Sequence, residues 1–171
     1  METHTSTHIS EAMQKAVGTE ISRRVSYPVS DSDIRRWALA TYWPAPPPER
    51  FLSLDIDSIV APEDFNPFAW AVATQHSHPD AVEASPNDPD SAEKRIGIEG
   101  PGLNYILNGG MKATYIGDIR RGDIITSVST LSSYSERRSR LGQMLITVFS
   151  DEWTNQNGDA VKRIETTLLR Y

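Results

Sequence analysis

Cysteine is absent from this chain. Its absence removes zinc ribbons, iron–sulfur clusters and thiol nucleophiles from the accessible chemistry, and it suits the reducing cytoplasm. Long apolar runs are missing too. No stretch approaches the roughly 20 residues that span a bilayer, and the opening METHTSTHIS has neither the basic flank nor the apolar segment of a signal peptide. A cytoplasmic protein without a membrane partner is the expectation. Positive charge is in deficit, with 17 Lys and Arg against 23 Asp and Glu and a net charge of −6. Nucleic acid is thereby disfavoured as a partner, because its phosphates select a basic surface. Histidine is scarce: the four residues are His4, His8, His76 and His78.

What is present suits one globular domain. The 171 residues are 38% hydrophobic and 23% charged, enough to bury a core without disulfides or metals. Residues 1–20 mix Thr, Ser, His and Glu and read as a flexible arm with a short helical stretch, leaving 21–171 for the domain. Ser30 with Asp33 has the form of a capping box and Val29 with Ile34 that of a hydrophobic staple, so a helix starts there. Ile34, Trp37, Ala38 and Tyr42 recur at helical steps and give it one apolar face. Pro44, Pro46, Pro47 and Pro48 stop it, since proline lacks the N–H and its ring clashes with the preceding turn. A second short helix is predicted from Glu63 to Thr74, interrupted near its start by Pro67. Residues 77–102 then have loop composition of unusual length, as in a lid or a mobile segment.

From Asn104 onward the pattern changes to strand. Residues 104–116, 123–134, 142–154 and 160–170 are rich in Ile, Val, Thr, Tyr and Phe and are separated by turn signals. Asn157-Gly158 is the strongest of these and predicts a type I′ hairpin. Gln143 to Phe149 is apolar on both alternating faces, as in a strand covered by the helix on one side and by a partner chain on the other. One helix followed by a run of antiparallel strands is an α+β domain in which a curved sheet wraps a central helix.

The run Leu107-Asn108-Gly109-Gly110, then Tyr115, Ile119-Arg120-Arg121-Gly122-Asp123, Arg140 to Met144, and Trp153 to Gly158 with Thr166 and Thr167, resembles the N-terminal domain of MaoC-like dehydratases. Asp33 to Ala38 and Val60 to Phe65 fit the same family, so the resemblance covers residues 20–171. It implies a hot-dog fold and a two-domain hydratase of the (R) type, which adds water across a trans-2-enoyl thioester or removes it. It also implies an Asp and a His at the end of the first helix that position and activate the water. The corresponding stretch, Thr41 to Arg50, reads TYWPAPPPER and contains neither. General base catalysis near neutral pH needs a histidine or a raised carboxylate within reach of the water.

The resemblance with that gap implies a non-catalytic, substrate-shaping subunit. Its catalytic Asp and His are expected on a separate MaoC-domain chain, in a heterodimer or heterotetramer. A coenzyme A thioester enters as substrate, with no cofactor. Because the prolines end the first helix early, room for a bulky acyl group (fatty, branched or a steroid side chain) is expected. Trp37, Tyr42, Trp43, Phe65, Phe68 and Trp70 would line it, with Asn108, Gly109 and Gly110 meeting substrate or partner.

Each signal also has a plainer reading. Aromatics at helical spacing are ordinarily core, and paired glycines in a strand ordinarily mark a bulge. Arg120 and Arg121 suit the phosphates of coenzyme A or a solvated hairpin tip. His76, His78 and Asp80 have ligand-like spacing without a fourth donor, so no metal is expected. Gly97, Gly100 and Gly102 lack the strand-to-helix setting of a phosphate loop. Two other functions stay open. One is a stand-alone homodimeric hot-dog hydratase or thioesterase using a carboxylate such as Asp64; the other is an acyl-CoA-binding or scaffold protein without turnover.

Overall fold

Ser30 starts the main helix in the way its sequence requires. Its side-chain oxygen accepts the Asp33 N–H at 3.0 Å, while Val29 before it and Ile34 after it are both buried in one apolar cluster. In this computed structural model, residues 7–69, 74–77, 85, 87–140 and 142–171 are described, 74–77 by backbone alone. Trp70, His78 and Asp80 thus lie outside the described residues, as does the His76 side chain. The elements are α1 (Glu11–Lys15), β1 (Glu20–Val25), α2 (Asp31–Tyr42), a 3₁₀ turn (Glu49–Phe51), β2 (Thr74–Ser77), α3 (Ser91–Arg95), β3 (Ile106–Tyr115), β4 (Thr126–Ser139), β5 (Gly142–Thr154) and β6 (Ala160–Arg170). The strands form one antiparallel sheet in the order β2-β1-β4-β5-β6-β3.

The four strands expected after residue 104 are β3 to β6. Directly paired residues point to one side of a sheet. The register sets Leu145, Thr147, Phe149, Asp151 and Trp153 of β5 opposite Arg170, Leu168, Thr166, Ile164 and Lys162 of β6, so all ten share one face. That face carries two cores. Ile125, Trp153 and Val161 pack with Ile34 of α2, with Trp37 against them; Ala16, Ile21 and Leu131 form a second cluster beside Ile96, Ile98 and Phe149. The other face of β5, with Met144, Ile146 and Val148, is half-buried.

Several expectations change. No helix forms at 63–69: Pro62 C=O bonds Phe65 N–H and Asn66 C=O bonds Ala69 N–H, giving successive turns. Pro67 has no N–H to offer, and the Asn66 side chain takes the Phe68 N–H at 3.0 Å, the local competition that disfavours helix. Phe65 and Phe68 still reach the core. Thr74, the expected end of that helix, instead starts β2, which pairs with β1. Within the stretch read as an arm, Met13 of α1 is fully buried. The β5–β6 turn closes by Gly158 N–H to Asn155 C=O at 3.0 Å, with Gly158 at φ +85°. The hairpin is therefore a four-residue turn ending in a left-handed glycine, and the two-residue type I′ form is not used.

Replacing Ser30 by Ala should lower the unfolding free energy by about 1 kcal/mol, the usual contribution of a helix N-cap; urea unfolding followed by circular dichroism measures it.

Candidate functional site

The last residue of β6 organises the region around α3. Arg170 is only 1% exposed. Its guanidinium donates to Glu93 at 2.7 and 2.9 Å, to the Pro89 carbonyl at 2.7 Å and to the Thr147 hydroxyl at 2.9 Å. Glu93 is fully buried and also accepts the Tyr134 hydroxyl at 2.6 Å. Burial, and then the bond to Glu93, pushes the Tyr134 phenol well above its usual range. Asp90 lies 3.4 Å from Arg170 and accepts the Gly102 N–H at 2.9 Å. Burial raises its carboxyl above the usual value against both of those partners. A buried guanidinium thus fixes the 87–102 segment over the sheet.

Between α3 and the sheet this clamp leaves a cavity of about 180 Å³. Ile21, Phe149 and Leu168 supply its apolar wall, with Ser22 and Ser129 beside them. From above come Pro89, Ser91, Ala92 and Arg95, and Arg170 forms one side. Asp151, opposite Ser129 in the β4–β5 register, is a half-buried carboxylate. Burial pushes it up, while the Ser129 hydroxyl and the Arg24 charge draw it down.

The other end of the same face holds a second buried cation. Lys162, 5% exposed, donates to the Phe65 carbonyl at 3.0 Å and lies over the rings of Trp153 and Tyr115. Burial pulls its ammonium down to about 8, with Asp64 and Glu63 opposing.

The residues expected at an acyl pocket are dispersed. Phe65 and Phe68 are core, meeting Trp37 and Trp153 edge to face; Tyr42 packs on Phe51; Trp43 is 80% exposed. None of them lines the α3 cavity. At Asn108-Gly109-Gly110 the strand register shifts, Gly110 has φ +132°, and a Cβ on Gly109 would stand 3.0 Å from Leu169 and Thr167 side-chain carbons. This is a bulge that needs glycine, capped by the Asn108 side chain on the Gly110 N–H at 2.8 Å. Arg120 is exposed and paired with Asp118 of its own turn, and Arg121 is exposed beside it. At the end of α2, the Thr41 hydroxyl reaches the exposed Asp64 carboxylate at 3.4 Å. Sequence reasoning missed Arg170, Glu93, Lys162 and Asp151. For Arg170, Lys162 and Asp151 the signal was the two-residue period of β5 and β6, which puts these charges in line with core residues; Glu93, on α3, had none.

An antiparallel sheet laid with one face on a capped helix is the hot-dog architecture, and this chain is a hot-dog protein. It belongs to the family described as FAS1-like, dehydratase domain region, which it matches over residues 15–164. The resemblance to MaoC-like dehydratases is thereby borne out. No curated protein matches the chain. Among solved structures it is similar to a chain of the ChsH1-ChsH2 complex from Mycobacterium tuberculosis, with 15% identity, 88% of this chain and 86% of that one covered, and a TM-score of 0.57. It is also similar to a MaoC-like dehydratase from Rhodospirillum rubrum, with 17% identity, coverage of 91% and 92%, and a TM-score of 0.52. A third similarity is to the HadBC (3R-hydroxyacyl-ACP dehydratase) complex from Mycobacterium tuberculosis, with 17% identity, coverage of 90% and 96%, and a TM-score of 0.51. At these identities the likeness is one of fold. No helix among the described residues is long and apolar enough to cross a membrane.

Removing Glu93 by substitution to Ala should cost about 3–5 kcal/mol, because it takes away the nearest counter-charge of the buried Arg170 and leaves it only Asp90 at 3.4 Å; denaturant titration reads this directly. Lys162 gives a pH signature. From about pH 8 to the ordinary lysine value of 10.5, the unfolded chain holds a proton that the folded chain has released, so this group's contribution to stability rises with pH. Comparing thermal unfolding of the native chain and Lys162→Met at pH 7 and pH 10 should show the difference moving in favour of the native chain at the higher pH.

Proposed function

We propose that this chain is the non-catalytic, substrate-shaping subunit of a heteromeric enoyl-CoA hydratase or 3-hydroxyacyl-thioester dehydratase. It acts in the cytoplasm on a bulky acyl-CoA, with the catalytic Asp and His supplied by a partner chain. The observation that carries this reading is the end of α2: from Thr41 to Arg50 there is neither Asp nor His, and the chain there is mostly exposed. Activating a water requires a positioned base within hydrogen-bond reach. This chain offers none of the family's pair at that place.

Two further features support a partner. β3 is the last strand of the sheet, and it exposes Ile106, Leu107, Met111 and Tyr115, followed by Ile116. An unpaired strand edge carrying apolar side chains is ordinarily covered by another chain. Two of the folds this chain resembles are named as two-component complexes, ChsH1-ChsH2 and HadBC. The exposed Arg120 and Arg121 are then available to coenzyme A phosphates arriving at such an interface.

The contact between Thr41 and Asp64 favours a second reading, a stand-alone hydratase or thioesterase with Asp64 as its base. One assay separates the two. The purified chain alone should not hydrate crotonyl-CoA or a large enoyl-CoA above background. Mixed with a MaoC-domain chain that carries Asp and His, it should turn over the large substrate faster than crotonyl-CoA. Activity of the chain alone that is lost in Asp64→Asn would replace the first reading with the second.

A further inference from the structure

Asparagine is followed by glycine twice in this chain, at Asn108-Gly109 and at Asn157-Gly158, and the fold sets the two pairs in opposite circumstances. The dipeptide has a chemistry of its own. The backbone nitrogen that follows an asparagine can attack the side-chain amide carbon, and a glycine, having no Cβ, puts least in the way of that approach. Asparagine counts among the thermolabile residues. The remaining asparagines precede Pro67, which has no N–H to lose, or the bulkier Asp88, Tyr105 and Gln156.

At Asn108 the reacting groups are pinned. The side-chain oxygen accepts the Gly110 N–H at 2.8 Å, and Gly109 stands between two paired positions of the β3–β6 ladder, Asn108 with Leu168 and Gly110 with Thr167. A Cβ on Gly109 would already be 3.0 Å from side-chain carbons of Leu169 and Thr167, so the strand has little slack for the turn of the backbone that ring closure requires. Asn157 is held far less. It is exposed, as is Gly158; its backbone N–H is engaged by the Asn155 side chain at 3.0 Å, while its own side chain has no hydrogen-bond partner among the described residues. A Cβ on Gly158 would meet nothing within 4 Å. The attacking atom, the Gly158 nitrogen, has one bond to give up, to the Asn155 carbonyl at 3.0 Å.

We propose that Asn157 is a site of spontaneous deamidation in the folded protein, and that the β3 bulge protects Asn108 from the same reaction. The Gly158 nitrogen forms a bond to Asn157 Cγ, the Cγ–Nδ2 bond breaks, and Nδ2 departs as ammonia with the proton that Gly158 loses. Water then opens the succinimide, at Cγ to give aspartate or at the main-chain carbonyl to give isoaspartate. Nothing is oxidised or reduced. Either product adds a negative charge close to Asp159. Isoaspartate also lengthens the main chain within a turn where Asn155 accepts the Asn157 and Asp159 N–H groups and the Gln156 side chain holds Ile124 and Asp123. It therefore loosens the connection between the β5–β6 hairpin and the turn carrying Arg120 and Arg121.

The purified full chain, kept in mildly alkaline buffer and sampled over time, is digested at acid pH and mapped by mass spectrometry, with isoaspartate separated from aspartate by chromatography. In the folded chain Asn157 should convert at least about tenfold faster than Asn108, the factor that one net hydrogen bond makes. In concentrated urea, where neither site keeps its structure, the two should convert at similar rates. Asn157→Gln changes only an exposed side chain; it should remove the fast conversion and leave Asn108 as it was. Two-dimensional amide NMR of the aged native chain should show displaced Ile124 and Asp159 signals that the variant lacks. Equal or faster conversion of Asn108 in the folded chain, a folded Asn157 that stays intact while the urea sample converts, a rate ratio unchanged by urea, or Ile124 and Asp159 amides unmoved by conversion would each overturn the proposal.

Discussion

The buried pairing of Arg170 with Glu93 is the constraint from which the rest of the site follows. α3 spans only Ser91–Arg95, far too short to hold a helical form by itself, and the 87–102 segment brings few apolar side chains beyond Ile96 and Ile98. Hydrophobic burial therefore contributes little to its placement. Arg170 supplies the missing attachment by donating into the backbone of Pro89 and the carboxylate of Glu93 while Thr147 holds it from below. Desolvating such a cation is expensive, and the pairing offsets that cost only because nearly every donor is matched. Nε is the one exception, and Arg170 also walls the cavity.

Lys162 acts in a parallel way at the other end of β6. It holds the Phe65 carbonyl, and with it the pair of turns that replaces the expected helix. Two cations on one face of one strand thus attach two irregular segments, 62–69 and 87–102, to the sheet. Between them the face keeps Thr166 and Leu168 opposite Phe149 and Thr147. A sheet wholly covered by one long helix would have no such gap, since protein interiors pack to crystal-like density. Short elements held by point attachments leave space where a continuous apolar helix face would fill it.

Much of this was legible in the sequence, and the reasons for the rest are specific. α2 was marked by Ser30 and Asp33, by the Val29 and Ile34 pair, and by its proline stop. The long strands were marked by β-branched and aromatic runs between turn residues. β1 was missed because Glu20–Val25 carries two arginines and buries only Ile21, which leaves no alternation to read. The helix expected over 63–74 was misled by the three-residue spacing of Phe65 and Phe68, a spacing that consecutive turns share with a helix. An acyl pocket was expected beside aromatic residues because large side chains attract that reading. Phe65 and Phe68 fill the core and Trp43 is exposed, while smaller residues, Ser22, Ala92 and Ser129, line the pocket under α3. The pairing of Glu93 with Arg170, 77 residues apart, has no local signature.

The exposure of the α2 end bears on how labour is divided between this chain and another. Developing charge on a thioester is stabilised best where water is excluded and dipoles are fixed in advance. Thr41, Trp43 and Asp64 are all exposed, and the hydroxyl–carboxylate contact between the first and last is a long one at 3.4 Å. An open carboxylate surrounded by solvent is neither oriented nor shielded, so Asp64 is poorly placed to act as the base unaided. The half-open pocket under α3 is elsewhere, and among the described residues its lining of serines, two arginines and hydrocarbon contains no nucleophile–base pair. In this chain that pocket and the open helix end are different places. A second surface laid over the open end would supply the enclosure that the chemistry requires.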